Sequence, residues 1–359
     1  MLGSSVVLMS IRLCRRYSHR WLSSKQLMYG NYGHPPDVLQ LTEKEVDKIG
    51  ADEVRIRWMG APINPSDINQ LQGLYPIKPS LPAVGGNEGF GEVEEVGNQV
   101  TTFHIGDWVV PGSSGVGSWR TVGKHRERDL LKSLKIYPSI QRLHFRMLKD
   151  FVDLKAGDLV VQNGANSNVG RCLCKLWDIR TINVVRNREN LNALVRELKE
   201  IGADEAKSAQ LALNCVGGRS ALMLSTCLSM KGVMVTYGGM SKKPVPTGPL
   251  IFNDIKLVGF WISHWYATRN DKKNIAHVKN NSKLHMKRMK KSFRCESYYA
   301  DQTDLHCTDR ETMFEELQDL IRHGKLRPPK VNKVKLEDWK TAVTNAMNSS
   351  DIKQLFVMQ

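Results

Sequence analysis

From Gln26 to about Arg120, apolar and polar residues alternate in short runs such as "QLMYGNYG", "EVRIRWMGAPINP", "EGFGEVEEVGN" and "GDWVVPG". A period of two, broken by clusters of Gly, Pro and Asn, sends successive side chains to opposite faces of a strand, so this stretch predicts an antiparallel, β-rich unit. The rhythm changes near Ala156. Apolar runs at 158–162, 181–186, 211–215, 232–237 and 256–262 are separated by stretches of helical period at 189–201 and 219–230. Strands alternating with helices predict parallel βαβ units and a doubly wound sheet, an α/β architecture.

After Trp265 the pattern is lost. Between Lys272 and Arg294 the chain carries nine basic residues and no acid, which a compact sheet does not absorb; a flexible or helical surface insertion is expected at 267–310. Periodicity returns in "ETMFEELQDLIRHGKLRPP", where Met313, Leu317, Leu320 and Ile321 share one helical face and Gly324 offers a stop.

Composition narrows the class. With 359 residues and 41% apolar content, the chain can bury two cores, and no apolar run approaches the roughly 20 residues of a membrane-spanning helix, so stable membrane insertion is not expected. The net charge of +16 permits phosphates, coenzyme A or nucleic acid as partners without choosing among them. Seven scattered cysteines, without CxxC spacing, argue against a disulfide framework and for a reducing compartment. The first 36 residues hold Arg12, Arg15, Arg16, Arg20 and Lys25, several serines and no acid before Asp37. Such a composition predicts a mitochondrial transit peptide over 1–25 and a destination in the matrix; a basic tail is the alternative.

Candidate chemistry begins at Gly164–Gly170, a turn of small residues between a strand and an apolar stretch. Backbone N–H groups of such a turn can approach a pyrophosphate at a helix N-terminus. The full GxGxxG spacing is lacking, and a plain strand-to-helix connection has the same look. At the end of the next strand, where a site for NADH carries an acid, stand Arg186 and Arg188. Two guanidiniums form forked contacts with a 2′-phosphate, so NADPH is favoured as the coenzyme, although a solvated loop also tolerates two arginines.

"APINPSDINQLQGLYP", "LPAVGGNEGFGEVEEVG", "GDWVVPGSSGVGSWRT", "RTINVVRNR", "LALNCVGG", "VTYGGM", "GFWISHW" and "IKQLFVMQ" together resemble the mitochondrial trans-2-enoyl-CoA or enoyl-[acyl-carrier-protein] reductases, a zinc-free branch of the medium-chain dehydrogenase/reductase superfamily. The resemblance implies a GroES-like catalytic domain (26–140 and 266–359) and a Rossmann NADP-binding domain (141–265). It implies NADPH-dependent reduction of enoyl thioesters, carried on CoA or acyl-carrier protein, in mitochondrial fatty acid synthesis, by a homodimer. By the same resemblance Tyr75 is the proton donor, with Asn64 to Asp67 as its supporting loop. Cofactor contacts fall to Asn166, Ser167, Asn168 and Val169, to Arg186, Asn187 and Arg188, to Tyr237, Gly238, Gly239 and Met240, to Phe260, Trp261 and Ile262, and to Lys353.

Zinc alcohol dehydrogenases of the superfamily hold a ligand in a GHE motif; here Gly86, Asn87 and Glu88 stand in its place, and an amide does not replace imidazole at zinc, so no metal is expected. The irregular His277, His285, Cys295, His306, Cys307 group fits no familiar ligand spacing. Two other readings stay open: a quinone or enone reductase, and a protein that keeps the fold but binds RNA, anionic lipid or acyl-carrier protein through its basic segment, with nucleic acid the less favoured.

Overall fold

The computed structural model describes residues 22–133, 141–165, 179–185, 196, 209–239, 241, 248–268, 309–323, 331–348 and 352–358. In the first unit, β1 (Ser23–Tyr29), α1 (Pro35–Val38), β2 (Leu39–Glu45), β3 (Glu53–Pro62), α2 (Pro65–Leu71), β4 (Ala83–Val84), β5 (Phe90–Val96), β6 (Trp108–Pro111), β7 (Val122–Arg126) and β8 (Leu130–Ser133) follow one another. Strand β3 shows why these residues make strand. Val54, Ile56 and Trp58 are fully buried on one face, while Arg57 on the other reaches Glu92 and Glu94 of β5 at 3.1 and 2.8 Å.

Seven strands form the larger sheet, in the order β14-β15-β3-β5-β6-β8 with β7 pairing β3; β14 (Val331–Lys335) and β15 (Lys353–Val357) come from the far end of the chain. Strand β15 runs antiparallel to β3, Leu355 opposite Pro62 and Val357 opposite Gly60. Trp58, Trp119 and Phe356 lie at the centre of the resulting core.

The second unit is a five-stranded sheet in the order β10-β9-β11-β12-β13, every adjacent pair parallel. Its strands are β9 (Leu159–Asn163), β10 (Arg180–Val184), β11 (Ala209–Asn214), β12 (Leu228–Thr236) and β13 (Lys256–Gly259). All residues of β9 are buried, as a strand covered on both faces requires. Val160, Leu211 and Val235 join one core with Phe145 and Met147 of α3 (Gln141–Lys149). Val161, Ala212 and Met234 join the other, with Ala221 and Leu224 of α4 (Gly218–Thr226).

The helix expected over 219–230 ends at Thr226, because Leu228 already pairs with Ala209 in the parallel ladder. The strand expected to run to 262 ends at Gly259, and α6 (Ile262–Thr268) begins there; α5 (Gly248–Phe252) precedes it. The helix expected near 313–321 forms as α7 (Asp309–Arg322). It lies in the segment allotted from the sequence to the β-rich unit, while Met313 and Leu317 sit in the same core as Phe145 and Val160 of the parallel-sheet unit. The last helix, α8 (Trp339–Asn348), returns to the first core through Trp339, Ala342 and Val343. The expected helix at 189–201, all but one residue of it, and the basic stretch from 269 lie outside the described residues.

Candidate active site

Asn64 caps α2, and Asp67 closes a capping box by accepting the Asn64 N–H at 2.7 Å. Beyond the helix, Gly73 takes φ +72°, a left-handed turn that glycine enters without strain. The backbone N–H groups of Leu74 and Tyr75 then donate to the Asn69 carbonyl at 2.8 and 3.1 Å. This tight turn aims the Tyr75 ring at the second unit. The Trp261 indole N–H donates to the Tyr75 hydroxyl at 2.9 Å, and the two rings meet edge to face at 5.9 Å. Ser263 Oγ lies 3.2 Å from the same hydroxyl. Ser114 Oγ donates to Ser263 Oγ at 2.8 Å.

Because Trp261 and Ser263 follow the carboxyl end of β13, the phenol stands over the carboxyl edge of the parallel sheet, where open α/β sheets bind ligands. The order β10-β9-β11 puts the switch point, where the strand order reverses, between β9 and β11. Both strands end there in a buried asparagine, Asn163 and Asn214. Asn163 Nδ2 donates to Asn214 Oδ1 at 2.9 Å and to Ser220 Oγ at 3.1 Å, while its Oδ1 accepts the Cys215 and Val216 N–H groups at 2.7 and 3.2 Å. Asn214 Oδ1 accepts the Gly217 N–H at 2.9 Å. These amides hold the strand ends and the turns that follow them in one rigid rim.

At Gly238 a Cβ would lie 2.5 Å from the Cys215 carbonyl, so only glycine allows this approach of the strand ends, whereas at Gly239 it would meet nothing within 4 Å. A flat, open rim of this kind fits a dinucleotide laid across the switch point. The hydroxyl of the half-buried Tyr237 is buried against Cys215, and burial, with the neighbouring thiol second, holds the phenol well above the ordinary range. It therefore stays a neutral wall of the rim.

Phe260 is buried edge to face on Phe151 at 5.5 Å, so its ring serves the core and only its backbone faces outward chemistry. Ile262 packs against the same core. The Lys353 ammonium donates to Asn64 Oδ1; burial lowers its proton affinity, and Glu88 and Asp67 raise it. It thus completes the loop under Tyr75. Asn166, Ser167, Asn168, Val169, Arg186, Asn187, Arg188 and Met240 lie outside the described residues.

Comparison with known proteins follows the same division. Residues 50–132 match the alcohol dehydrogenase GroES-like domain. A mitochondrial enoyl-[acyl-carrier-protein] reductase of Caenorhabditis elegans is 43% identical over 367 residues, spanning 95% of this chain and 96% of its own. The chain belongs to the mitochondrial enoyl-[acyl-carrier-protein] reductase family. Among solved structures, the complex of Etr1p with NADP and crotonyl-CoA matches 94% of this chain and 100% of its own with a TM-score of 0.74 and 29% identity. The Etr1p/Etr2p heterodimer, a mitochondrial 2-enoyl thioester reductase from Candida tropicalis, aligns with the same score and identity.

Within this reductase family fold, the place of the superfamily's zinc ligand is taken by a closed polar network. Asn87 Nδ2 donates to Asp67 Oδ1 at 2.7 Å and to Gln70 Oε1 at 3.1 Å, and Asn87 Oδ1 accepts the Gly115 N–H at 2.7 Å. Both polar atoms of the amide are thus engaged within the protein. Burial pushes the Asp67 carboxyl up to about 6, against the opposing hydrogen bonds from Asn64 and Asn87. Gly86, at φ +96°, lets the chain pass the Trp119 ring, which a Cβ would meet at 2.4 Å.

The sequence singles out Tyr75 and Trp261 separately, by resemblance, and the structure brings the two side chains into contact. Sequence reasoning misses Ser114, Ser263, Asn163 and Asn214. A polar residue closing an apolar strand, as Asn163 and Asn214 do, is a readable signal; the two serines carry none, because each sits 149 residues from the other in the chain.

Proposed function

We propose that this reductase family member uses NADPH to saturate trans-2-enoyl thioesters, delivering hydride to the β carbon and a proton to the α carbon. The observation that carries the reading is the Tyr75 phenol held by Trp261 and Ser263 over the carboxyl edge of the parallel sheet. NADPH, when bound, supplies the hydride. Tyr75 supplies the proton, and the Trp261 N–H, which can only donate, stabilises the oxygen that the proton leaves. The amide rim of Asn163 and Asn214 keeps the strand ends fixed.

Support for NADPH in place of NADH comes from Arg186 and Arg188, which would read the 2′-phosphate, with Asn166 to Val169 and Met240 along the pyrophosphate and nicotinamide. The substrate is a CoA or acyl-carrier-protein thioester, and the acid-free, basic first 36 residues support import into the mitochondrial matrix. A homodimer is the assembly we favour, from the edge position of β13 among the described residues.

Loss of NADPH absorbance with a series of trans-2-enoyl-CoA substrates tests the reading, with NADH run alongside. Wild type is expected to oxidise NADPH, and Tyr75→Phe to lower kcat on the order of 10²- to 10⁴-fold with KM little changed. No NADPH oxidation at any chain length would overturn it.

A further inference from the structure

A phenol that gives up a proton must regain one before the next turnover. The Tyr75 hydroxyl already accepts from the Trp261 indole, which has no proton to release on this timescale and returns none. Its other described neighbour is a hydroxyl, Ser263 Oγ at 3.2 Å. Ser263 in turn accepts from Ser114 Oγ at 2.8 Å, and Ser114 lines an open surface hollow together with Ser113, Lys124 and Asp129. When the phenol points its proton at substrate, Ser263 is left to donate to Tyr75, and Ser114 donates to Ser263. Three hydroxyls then point the same way, from solvent to the reacting carbon.

We propose that Ser263 and Ser114 form a proton-return relay that recharges Tyr75 from the surface hollow. The inference rests on Tyr75 being the proton donor. In the chemical step the Tyr75 O–H bond breaks as the α C–H bond forms, leaving a phenolate held by the Trp261 and Ser263 donors. Ser263 passes its proton to the phenolate, Ser114 passes its own to Ser263, and water in the hollow replaces the last. One proton enters from solvent per double bond reduced, and no charge accumulates. The two serines belong to different units, Ser114 to the segment between β6 and β7 and Ser263 to α6. The relay is therefore continuous only when the units are packed as described. Both act through Tyr75 and are positioning residues, not catalytic ones.

The test compares Ser263→Ala, Ser263→Thr, Ser114→Ala and Tyr75→Phe, each by single-turnover and steady-state NADPH oxidation in H₂O and D₂O. For Ser263→Ala the first turnover is expected to slow only severalfold, from the loss of one of the two donors to the phenolate, while steady-state kcat falls further, on the order of 10²-fold at unchanged KM, the size usual for one positioned proton transfer. The solvent isotope effect on kcat should rise, imidazole buffer should restore the rate in proportion to its concentration, and Ser263→Thr should restore it without buffer. Ser114→Ala should lower kcat less, since water can reach Ser263. Wild-type kcat and isotope effect in both serine-to-alanine variants, beside an impaired Tyr75→Phe, would overturn the relay and leave the donor in place. A slow Ser263→Ala that neither buffer nor threonine repairs would equally overturn it. An unimpaired Tyr75→Phe would remove the donor reading itself, and the relay with it.

Discussion

Asn87 spends an entire side chain on three partners that lie 17 to 28 residues away along the chain. Through Gln70, whose Nε2 donates to the Ile77 carbonyl at 3.0 Å, that network reaches the turn bearing Tyr75. Asn87→Ala leaves the Asp67 carboxylate, Gln70 and the Gly115 N–H short of partners. The expected cost is about 2–4 kcal/mol of stability, read from the urea midpoint, together with a lower kcat as the turn loosens. At this scale the sequence was informative about chemistry and silent about partners. An amide where a zinc ligand belongs could be read as a lost metal site, but not as the centre of a hydrogen-bonded cluster, because no local spacing links positions 67, 70, 87 and 115.

Among the elements, the parallel strands were legible as apolar runs and their ends were not. The run at 219–230 keeps a helical spacing of apolar residues, but Leu228 is captured by Ala209 across the sheet, and Lys231, at φ +62°, bends the new strand. Pairing between strands outweighs a local preference worth a few tenths of a kcal/mol per residue. Strand β13 stands at the edge of its sheet among the described residues, and just before it Ile251 and Phe252 are 74% and 78% exposed. An edge strand beside such side chains is a ready template for a second copy. Phe252→Glu should therefore shift the sedimenting species from dimer to monomer at micromolar concentration, with its fold retained by circular dichroism; a monomeric wild type would exclude this face as an interface.

For the molecule as a whole, acid stability turns on His125. The Trp58 indole donates to its Nε2 at 3.3 Å, and burial, with Arg120 second, holds its proton affinity down to about 3 from the usual 6.5. The folded imidazole stays neutral while the unfolded one takes a proton, so its contribution is complete above 6.5 and is lost as pH falls towards 3. Asp67, raised to about 6, works in the opposite sense, its contribution falling as pH rises through that value. Comparing wild type with His125→Gln isolates the histidine: the stability difference between them should fall by on the order of 1.4 kcal/mol per pH unit across this window. Equal slopes would show that His125 is protonated in the fold.

The division into a β-rich and a parallel-sheet unit could be read from the switch in period alone, while the crossing of α7 into the second core depended on packing that no period records. Strand β15, lying between β14 and β3, sets an order of folding events. The first unit keeps a gap in its sheet beside β3 until Lys353–Val357, far along the chain from Glu53–Pro62, pairs with it. Closing a loop of that length is a late and slow step, so the first sheet is completed only after the whole parallel-sheet unit has been spanned.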